Sequence, residues 1–399
     1  MHCGITHRFA GVHLSVLVAL WLCGSGSLLA QTFTTLFLFG GGGSPRGTLV
    51  EGTDGNLYGT TFGGGDSRLN GMIFKITPGG TFTALHSGGR FQAGLTLGTD
   101  GNFYGTSEAG GPSAHGYVFK ITPSGTLTTL YNFDSAADYL PGKLVQASDG
   151  NFYGTTLEGG ANSGGMLFRI TPSGTLTTIY NFCSLSGCAD GTAPLGLIQG
   201  SDGNLYGVTG GGGSSGGYGT IFKITTTGAL TTLHSFDLTD GSGPEGLVQA
   251  SDGNIYGTTN SGGISNSNCG GGNSPGTCGT VFKITPTGAF TTLHLFNSTD
   301  GADPGTAPIQ ASDGDLYGTT SGGGTTGSGT VFKITPTGTL TTVYNLDPKN
   351  GDSAGPQGLV QHTNGIFYGS TVRGGKIVYH FCPAFCGTLF SLSVGLPAR

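Results

Sequence analysis

One structural unit is written seven times along this chain. A first string, Asp-Gly-Asn-x-Tyr-Gly, is followed each time by a second string whose fullest form is GTVFKITPTGTLTTL. The copies of the first string, including two looser ones at the end, start 46 to 61 residues apart, at Asp54, Asp100, Asp149, Asp202, Asp252, Asp313 and Asn364. Internal periods of about 20–50 residues are typical of solenoids and propellers, in which one small unit is copied side by side. The fold must therefore be an array or a ring of equivalent units.

Each unit contains four short runs rich in Val, Ile, Thr and aromatic residues, the composition that strands prefer. The first two runs are joined by Ser-Asp-Gly-Asn, and the last two by Thr-Pro-Thr-Gly, both typical of tight hairpins. The other connections are longer, rich in glycine and variable in length. We name the strands a, b, c and d. In the fifth unit the sequence predicts them at Gly246–Ser251, Ile255–Thr259, Gly279–Thr285 and Phe290–Phe296.

The two ends of the repeated region complement each other. The seventh unit has strands a (Gly358–Thr363), b (Phe367–Thr371) and c (Gly387–Ser393) but no strand d. The segment Thr32–Phe39 reads as a strand d without a unit before it. In a closed ring the first strand completes the last unit and removes an open edge. The sequence predicts an all-β, seven-bladed β-propeller; a glycine-rich parallel β-helix is the alternative, although its coils are usually shorter.

Composition excludes several other classes. Glycine supplies 82 of the 399 residues, a density that disfavours long helices. Charged residues make up only 9% and the net charge is −6, which argues against both a charge-rich disordered chain and a nucleic-acid-binding surface. The glycines do not fall at every third position, which excludes collagen.

Residues 1–30 have the pattern of a secretory signal peptide. The apolar run Leu14–Leu22 is too short to span a bilayer, which needs about 20 residues. Ala30 offers a cleavage point, whereas the bulky residues before Cys23 disfavour a lipoprotein signal. We expect residues 31–399 to form a single propeller domain, monomeric and without a membrane span. The predicted location is outside the cell, with the periplasm as an alternative.

The DGN-x-YG and G-T-x-FKIT-x-x-G strings resemble the GloVer (Gloeo/Verruco) tandem repeat of bacteria, over about 360 residues. The resemblance implies an exported protein. Members of this family carry varied surface-anchoring tails, and no established activity carries over. Because the last unit is followed directly by Arg399, we expect release from the cell rather than attachment to its surface.

A propeller places the a–b and c–d hairpins on one side, which we call the uniform face, and the b–c and d–a loops on the other, the irregular face. Ligand sites concentrate on variable loops held by a rigid frame, so we expect a site on the irregular face near the central channel. Six cysteines lie in these loops, and adjacency predicts the disulfides Cys183–Cys188, Cys269–Cys278 and Cys382–Cys386. Zinc held by Cys382, Cys386 and His380 is the alternative, but no fourth ligand is implied, so we expect no metal there.

Charged residues follow the same division into two faces. Lys75, Lys120, Arg169, Lys223, Lys283 and Lys333 share one position of the unit, and we expect them to pair with the turn aspartates of the uniform face; an anion-binding ring is the alternative. The predicted binding residues of the irregular face are Asp190, Asp237, Asp240, Asp300 and Asp303, in d–a loops that also contain Asp134, Asp138, Asp347 and Asp352. Turn formation explains such residues most simply. We expect no cofactor, with Ca²⁺ as the alternative.

Histidines and tyrosines recur at fixed positions of the unit. His86, His234 and His294 stand where other units have Tyr131, Tyr180 and Tyr344, which indicates packing rather than catalysis. The tyrosines of the first string, from Tyr58 to Tyr368, are predicted to pack between blades. His115, His362 and His380 are the histidines placed to act as a base, and no nucleophile elbow, phosphate loop or zincin motif is present.

Two main functional hypotheses follow. The first is an exported binding module that takes a glycan, a peptide or a surface partner through the irregular face. The second is an extracellular lyase or hydrolase of a polymer, using His115, His362 or His380 with aspartates at the channel mouth. A structural module for cell-surface assembly is a third possibility. An enzyme requires one of these histidines within hydrogen-bond reach of a carboxylate at the channel mouth.

Overall fold

The computed structural model describes residues 31–40, 43–64, 71–112, 115–133, 140–263, 265, 269, 276–348, 353–374 and 387–399. The signal peptide predicted for residues 1–30 lies outside this part of the chain. The same holds for three of the predicted site residues, His380, Cys382 and Cys386, and for Asp134, Asp138 and Asp352 in the d–a loops.

The two inner strands of each blade are named in chain order. The a strands are β2 (Val50–Glu51), β6 (Thr96–Leu97), β10 (Val145–Gln146), β14 (Thr192–Gln199), β18 (Ser242–Gln249), β22 (Ile309–Gln310) and β26 (Ser353–Gln361). The b strands are β3 (Leu57–Thr60), β7 (Phe103–Ser107), β11 (Phe152–Thr156), β15 (Leu205–Gly211), β19 (Ile255–Ser261), β23 (Leu316–Thr320) and β27 (Phe367–Gly374).

The two outer strands complete each blade. The c strands are β4 (Gly71–Ile76), β8 (Tyr117–Ile121), β12 (Met166–Ile170), β16 (Thr220–Ile224), β20 (Thr280–Ile284), β24 (Thr330–Ile334) and β28 (Thr388–Ser393). The d strands are β5 (Phe82–Gly89), β9 (Leu127–Asn132), β13 (Leu176–Asn181), β17 (Leu230–Ser235), β21 (Phe290–Leu295), β25 (Leu340–Asn345) and, for the last blade, β1 (Thr32–Leu38). A 3-10 turn (Ser186–Cys188) lies between β13 and β14.

These strands form seven four-stranded antiparallel sheets, which confirms the predicted seven-bladed propeller. Six sheets use four consecutive strands, whereas the seventh has the order β1-β28-β27-β26. β1 pairs with β28 from Thr32 opposite Ser393 to Leu38 opposite Thr388, with one bulge. The ring of Phe33 stacks on both Tyr344 and Phe390, with centroids 4.8 Å apart in each pair. The N-terminal strand therefore closes the ring by completing the last blade, as predicted.

Within each blade the two repeated strings meet at one contact. The glycine that ends the first string on strand b lies directly opposite the phenylalanine of strand c, as Gly207 does with Phe222. A Cβ atom at this glycine would overlap the phenylalanine ring, and the same is true in all seven blades, at Gly59, Gly105, Gly154, Gly207, Gly257, Gly318 and Gly369. The first string needs glycine because the buried ring of the second string lies across its backbone.

Neighbouring blades are joined by aromatic contacts and by side-chain hydrogen bonds. The Tyr104 ring of one blade stacks on Phe152 of the next, with centroids 3.9 Å apart, and the Tyr58 and Phe103 rings pack against each other at a tilt, with centroids 4.1 Å apart. These contacts agree with the inter-blade packing predicted for the tyrosines.

At the uniform-face end of strand a, a glutamine accepts a hydrogen bond from the a–b turn of the preceding blade. Gln199 accepts from the backbone N–H of Ser148 (2.7 Å), and Gln146, Gln249, Gln310 and Gln361 repeat the arrangement. Between the last blade and the first, Glu51 takes this role and accepts from the N–H of Thr363 (3.0 Å). Strand a of the fifth unit runs over Ser242–Gln249, earlier than predicted, because residues 250–254 are used to close the turn.

We predict that Gly207→Ala destabilises the fold. Alanine suits a strand interior better than glycine, but here its methyl group would displace the Phe222 ring, and overpacking of this kind costs about 1–3 kcal/mol. The measurement is the urea midpoint of unfolding. Gly79→Ala is the matched control because only the Thr77 hydroxyl lies within van der Waals distance of that Cβ position. Equal midpoints for the two variants would show that the Gly–Phe contact carries no structural constraint.

Candidate functional site

The a strands surround a central channel that opens on the irregular face. Its volume is about 720 Å³, and every blade contributes residues to its wall. Most of the lining side chains are apolar, including Leu95, Leu144, Val248 and Ile309. Small-molecule sites have volumes of about 300–1,000 Å³ and combine apolar walls with a few polar groups. The charged residues of the channel are therefore the first candidates for function.

Among the described residues, Lys143 is one of two basic residues, with Arg46, in the channel wall. The other units have only a small residue at the equivalent position: Thr48, Gly94, Gly196, Gly246, Ala307 and Gly358. Past these small residues the Lys143 Nζ atom reaches from the third blade to the first and donates to the Thr48 hydroxyl (3.3 Å). Channel water reaches the side chain, yet the surrounding protein lowers the pKa of Lys143 through desolvation.

Glu245 stands in the channel wall of the fifth blade, at a β-bulge where the register of β18 on β19 shifts between Pro244 and Gly246. Bulges re-aim side chains in this way. Among the described residues no group hydrogen-bonds to the Glu245 carboxyl or pairs with it, so burial alone raises its pKa to about 7. A carboxyl group with this pKa is able to gain or lose a proton near neutral pH.

Two arginines share one aromatic ring beside the channel. The guanidinium carbons of Arg46 and Arg90 are 5.1 Å and 4.6 Å from the centroid of the Phe62 ring. Arg46 and Glu108 line the channel. Burial raises the pKa of the Glu108 carboxyl, and the two nearby arginines partly offset this effect. Cations over an aromatic face gain about 0.5–2 kcal/mol, which holds both guanidinium groups over the Phe62 ring.

Sequence reasoning missed all of these channel groups, although the repeat contained a signal for two of them. Lys143 and Glu245 are single departures from the unit at positions where most other copies have small or uncharged side chains. The prediction concentrated on positions that are shared between units, and those positions build the frame. A charged residue that replaces a small one in a single blade is the better marker of a site.

The predicted binding residue Asp190 is fully buried and occupied by internal hydrogen bonds. Its Oδ2 atom accepts from Tyr180 Oη and from the backbone and hydroxyl of Ser184, all at 2.9 Å, and Oδ1 accepts from the N–H of Leu185 (3.1 Å). Burial acts to raise the pKa of Asp190, but these hydrogen bonds outweigh it and leave the pKa below its ordinary value. The carboxylate organises the loop between β13 and β14.

Asp240 and Asp300 play a similar part after the next two d strands. The Nε2 atom of His234 is 2.8 Å from Asp240 Oδ2, and that of His294 is 2.9 Å from Asp300 Oδ2. Asp237 closes the first of these loops by accepting from both the N–H and the hydroxyl of Thr239.

These pairs explain why histidine and tyrosine interchange on strand d. Either side chain presents a ring that packs and a polar hydrogen that is donated to the aspartate of the following loop. His234 also stacks on Phe290 of the next blade, with centroids 3.8 Å apart. The packing predicted for this position is present, and the hydrogen bond to aspartate is the part that sequence reasoning did not foresee.

Asp303 differs from the other four aspartates. Its backbone holds the loop, since its N–H donates to the Cys278 carbonyl (3.0 Å) and its own carbonyl accepts from Ser321. The side-chain Oδ1 atom is buried and has no hydrogen-bond partner among the described residues, and burial raises the pKa of the carboxyl group. No described group of three or more His, Cys, Asp or Glu side chains is arranged to hold a metal ion.

Of the histidines predicted as possible bases, the structure describes His115 and His362, and neither lines the channel. His115 lies half-buried in the b–c loop of the second blade, and His380 is outside the described residues. His362 is buried on the uniform face, where Nε2 donates to the Gly55 carbonyl (2.9 Å) and lies 3.3 Å from Glu51 Oε1. Its Nδ1 atom accepts from the N–H of Asn364 (3.0 Å). His362 therefore joins the last blade to the first.

Among the described residues, two of the three predicted disulfides are present, and three of the six predicted basic residues pair with turn aspartates. Disulfides link Cys183 to Cys188 and Cys269 to Cys278, both in irregular-face loops. On the uniform face, ion pairs join lysines of strand c to turn aspartates: Lys120–Asp100 (3.5 Å), Lys223–Asp202 (2.8 Å) and Lys333–Asp313 (2.9 Å). In the part of the chain that is described, no helix combines the length and hydrophobicity needed to cross a bilayer.

The blades, the closure and the central channel define a seven-bladed β-propeller, and solved structures share this fold. A catalytically inactive virginiamycin B lyase variant from Staphylococcus aureus, solved with quinupristin, superposes with a TM-score of 0.63 at 17% identity, covering 91% of this chain and 99% of that one. The extracellular domain of a B. thetaiotaomicron protein named as a hybrid two-component system gives a TM-score of 0.58 at 12% identity, covering 89% of this chain and 40% of that one. These similarities show the fold alone.

The sequence itself matches the profile of the Gloeobacter/Verrucomicrobia repeat over residues 27–144, 91–271 and 140–390. The chain belongs to this repeat family. No curated protein matches it by sequence.

We predict a pH-dependent stabilisation by Glu245→Gln. The pKa of Glu245 is about 7 in the folded state against an ordinary value of 4.5, so the carboxyl favours folding below pH 4.5 and this contribution is lost as the pH rises through 7. Glutamine removes the charge, so at alkaline pH the free energy of unfolding of the variant should exceed that of the wild type by about 1–2 kcal/mol. Solvent screening reduces the effect to this range. In acid, the two proteins should have the same free energy of unfolding.

The measurement is urea unfolding of both proteins at about pH 4.5 and about pH 8.5. Glu158→Gln, at an exposed loop carboxyl, is the matched control and should leave the difference between the two pH values unchanged. A constant offset between Glu245→Gln and wild type at every pH would contradict a buried, titrating Glu245.

Proposed function

We propose that this propeller is an exported binding module that takes its ligand through the irregular face into the central channel. The partner is a glycan, a peptide or a component of a cell surface that inserts a small group between the a strands. One observation carries the proposal: a channel of about 720 Å³ has apolar walls and a few separate charged groups, the composition of a ligand site.

The residues that line the channel also support binding over catalysis. Neither histidine nor cysteine nor aspartate is among them in the described part of the chain. His362 points to the uniform face and is occupied by Gly55 and Asn364. The aspartates beside His234 and His294 are engaged in their own loops. General acid–base chemistry needs such groups within hydrogen-bond reach of a substrate.

Export is consistent with the cysteine chemistry. Two disulfides are present in the described residues, and structural disulfides persist in oxidising compartments. Both close short loops on the face that the channel opens to. We infer that they hold this face in shape outside the cell.

A polymer lyase or hydrolase is the second candidate. Glu245 favours it, because a carboxyl whose pKa is about 7 is suited to donate or accept a proton at neutral pH. The shared fold with a virginiamycin B lyase is compatible with this candidate, although one propeller fold serves many functions.

We predict that Gly305→Trp abolishes ligand binding. Gly305 lines the channel and a Cβ atom there meets nothing within 4 Å, so the indole ring has room to enter the channel without disturbing the blades. The mature chain should bind at least one member of a panel of immobilised polysaccharides and peptides saturably. Gly79→Trp, in a c–d turn of the uniform face, is the matched control and should bind like wild type.

The same panel should be assayed for bond cleavage with wild type and Glu245→Gln. Binding without cleavage is the expected outcome. Cleavage that disappears in Glu245→Gln would establish the enzyme instead, and binding that survives in Gly305→Trp would show that the channel is not the site.

A further inference from the structure

The charges of the channel are segregated around the ring. The basic residues of its wall are Arg46, before β2 in the first blade, and Lys143, before β10 in the third; Arg90, before β6, lies beside Arg46 over the Phe62 ring. Glu245 belongs to the fifth blade, on another sector of the wall. Between these sectors the wall is formed mainly by leucine, valine, isoleucine, alanine, proline and glycine, with Thr306 as a polar residue of the sixth blade. A ligand that fills this space must be apolar over most of its surface and charged at one end.

The Lys143 ammonium group contacts the segment of the first blade that contains Arg46. Lys143 belongs to the third blade, but its ammonium group donates to Thr48, two residues after Arg46. The reach depends on the second blade, where Gly94 occupies the equivalent position without a side chain. An ammonium group has three donors, of which Thr48 uses one, so donors remain for a ligand.

The third cation strengthens the same end of the channel. Arg90 and Arg46 share the Phe62 ring, which fixes the positions of their guanidinium groups. Planar guanidinium forks match the two oxygens of a carboxylate or sulfonate. Among the described residues, Glu108 is the carboxyl group on which both arginines act, so the described groups of this sector carry an excess of positive charge.

We propose that the channel binds an amphiphilic organic anion, with its carboxylate at Arg46, Arg90 and Lys143 and its apolar body between the a strands. The inference rests on the proposed function and names the chemical class of its ligand. The apolar walls supply most of the affinity through buried area, and the cations select an anion over a neutral or positively charged analogue. Linear alkyl and aromatic bodies both satisfy this chemistry.

The test uses the mature protein and the fluorescent anion 8-anilinonaphthalene-1-sulfonate, which reports an apolar site. We expect saturable binding of one probe per chain and displacement by decanoate. Decanol and decylammonium share the alkyl body but lack the negative charge, so each should compete at least about tenfold more weakly. Naphthoate in place of decanoate distinguishes an aromatic from an alkyl preference.

Variants identify the groups responsible. Lys143→Met keeps the unbranched stem but removes the ammonium group, and it should weaken decanoate binding about tenfold, whereas Lys143→Arg should retain it. Lys223→Met, on the uniform face, is the matched control and should be without effect. Circular dichroism of each variant should match wild type.

The outcomes separate this inference from the proposed function. Equal competition by decanol and decanoate, or unchanged binding by Lys143→Met, would overturn anion recognition while leaving a channel ligand in place. Probe binding that persists in Gly305→Trp, or no saturable probe binding at all, would overturn the inference at its base. A third outcome is a polysaccharide that no longer binds Gly305→Trp but binds Lys143→Met like wild type. It would support the binding module and contradict the amphiphilic anion as its ligand.

Discussion

The hydrogen bonds between β1 and β28 are the contact on which the rest of this molecule depends. Seven blades built from consecutive strands would otherwise form an open array with an unpaired edge at each end. By supplying the outer strand of the last blade, residues 32–38 fix the last blade beside the first. The pairing of Glu51 with Thr363 and the burial of His362 against Gly55 reinforce the same junction. A closed wall, and hence an enclosed channel, follows from that junction.

The positions that recur in every unit and the positions that differ in a single unit have separate roles. The positions that recur in every unit build the blade: the strand-b glycine accommodates the strand-c phenylalanine, and the tyrosine packs on the next blade. Because these contacts are alike in each unit, they give the ring its regularity but no binding specificity. Lys143, just before strand a of the third blade, and Glu245, on strand a of the fifth, occur once each at positions where a change of side chain alters the channel and leaves the blade intact. The residues that build the blade and the charged residues that line the channel therefore occupy different parts of the same unit.

The propeller was predictable because its signals are local or repeated. Turn residues mark the hairpins, and the surplus first strand matches the missing last one. Pairings of close residues, such as Cys183 with Cys188, followed from spacing. The channel was not predictable in the same way. The contact of Lys143 with Thr48 joins residues 95 positions apart, and it exists because the curvature of the ring brings the third blade within reach of the first. The bond from His234 to Asp240 spans six residues, yet the interchange with tyrosine suggested packing alone.

The offset between the chain ends and the blade boundaries has an evolutionary consequence. A duplication or loss of one complete unit anywhere inside the chain would leave both halves of the composite blade in place, so the two ends would still fit one another. Recombination between units could thus change the number of blades, and with it the diameter of the central opening, while the N-terminal strand still completes the last blade.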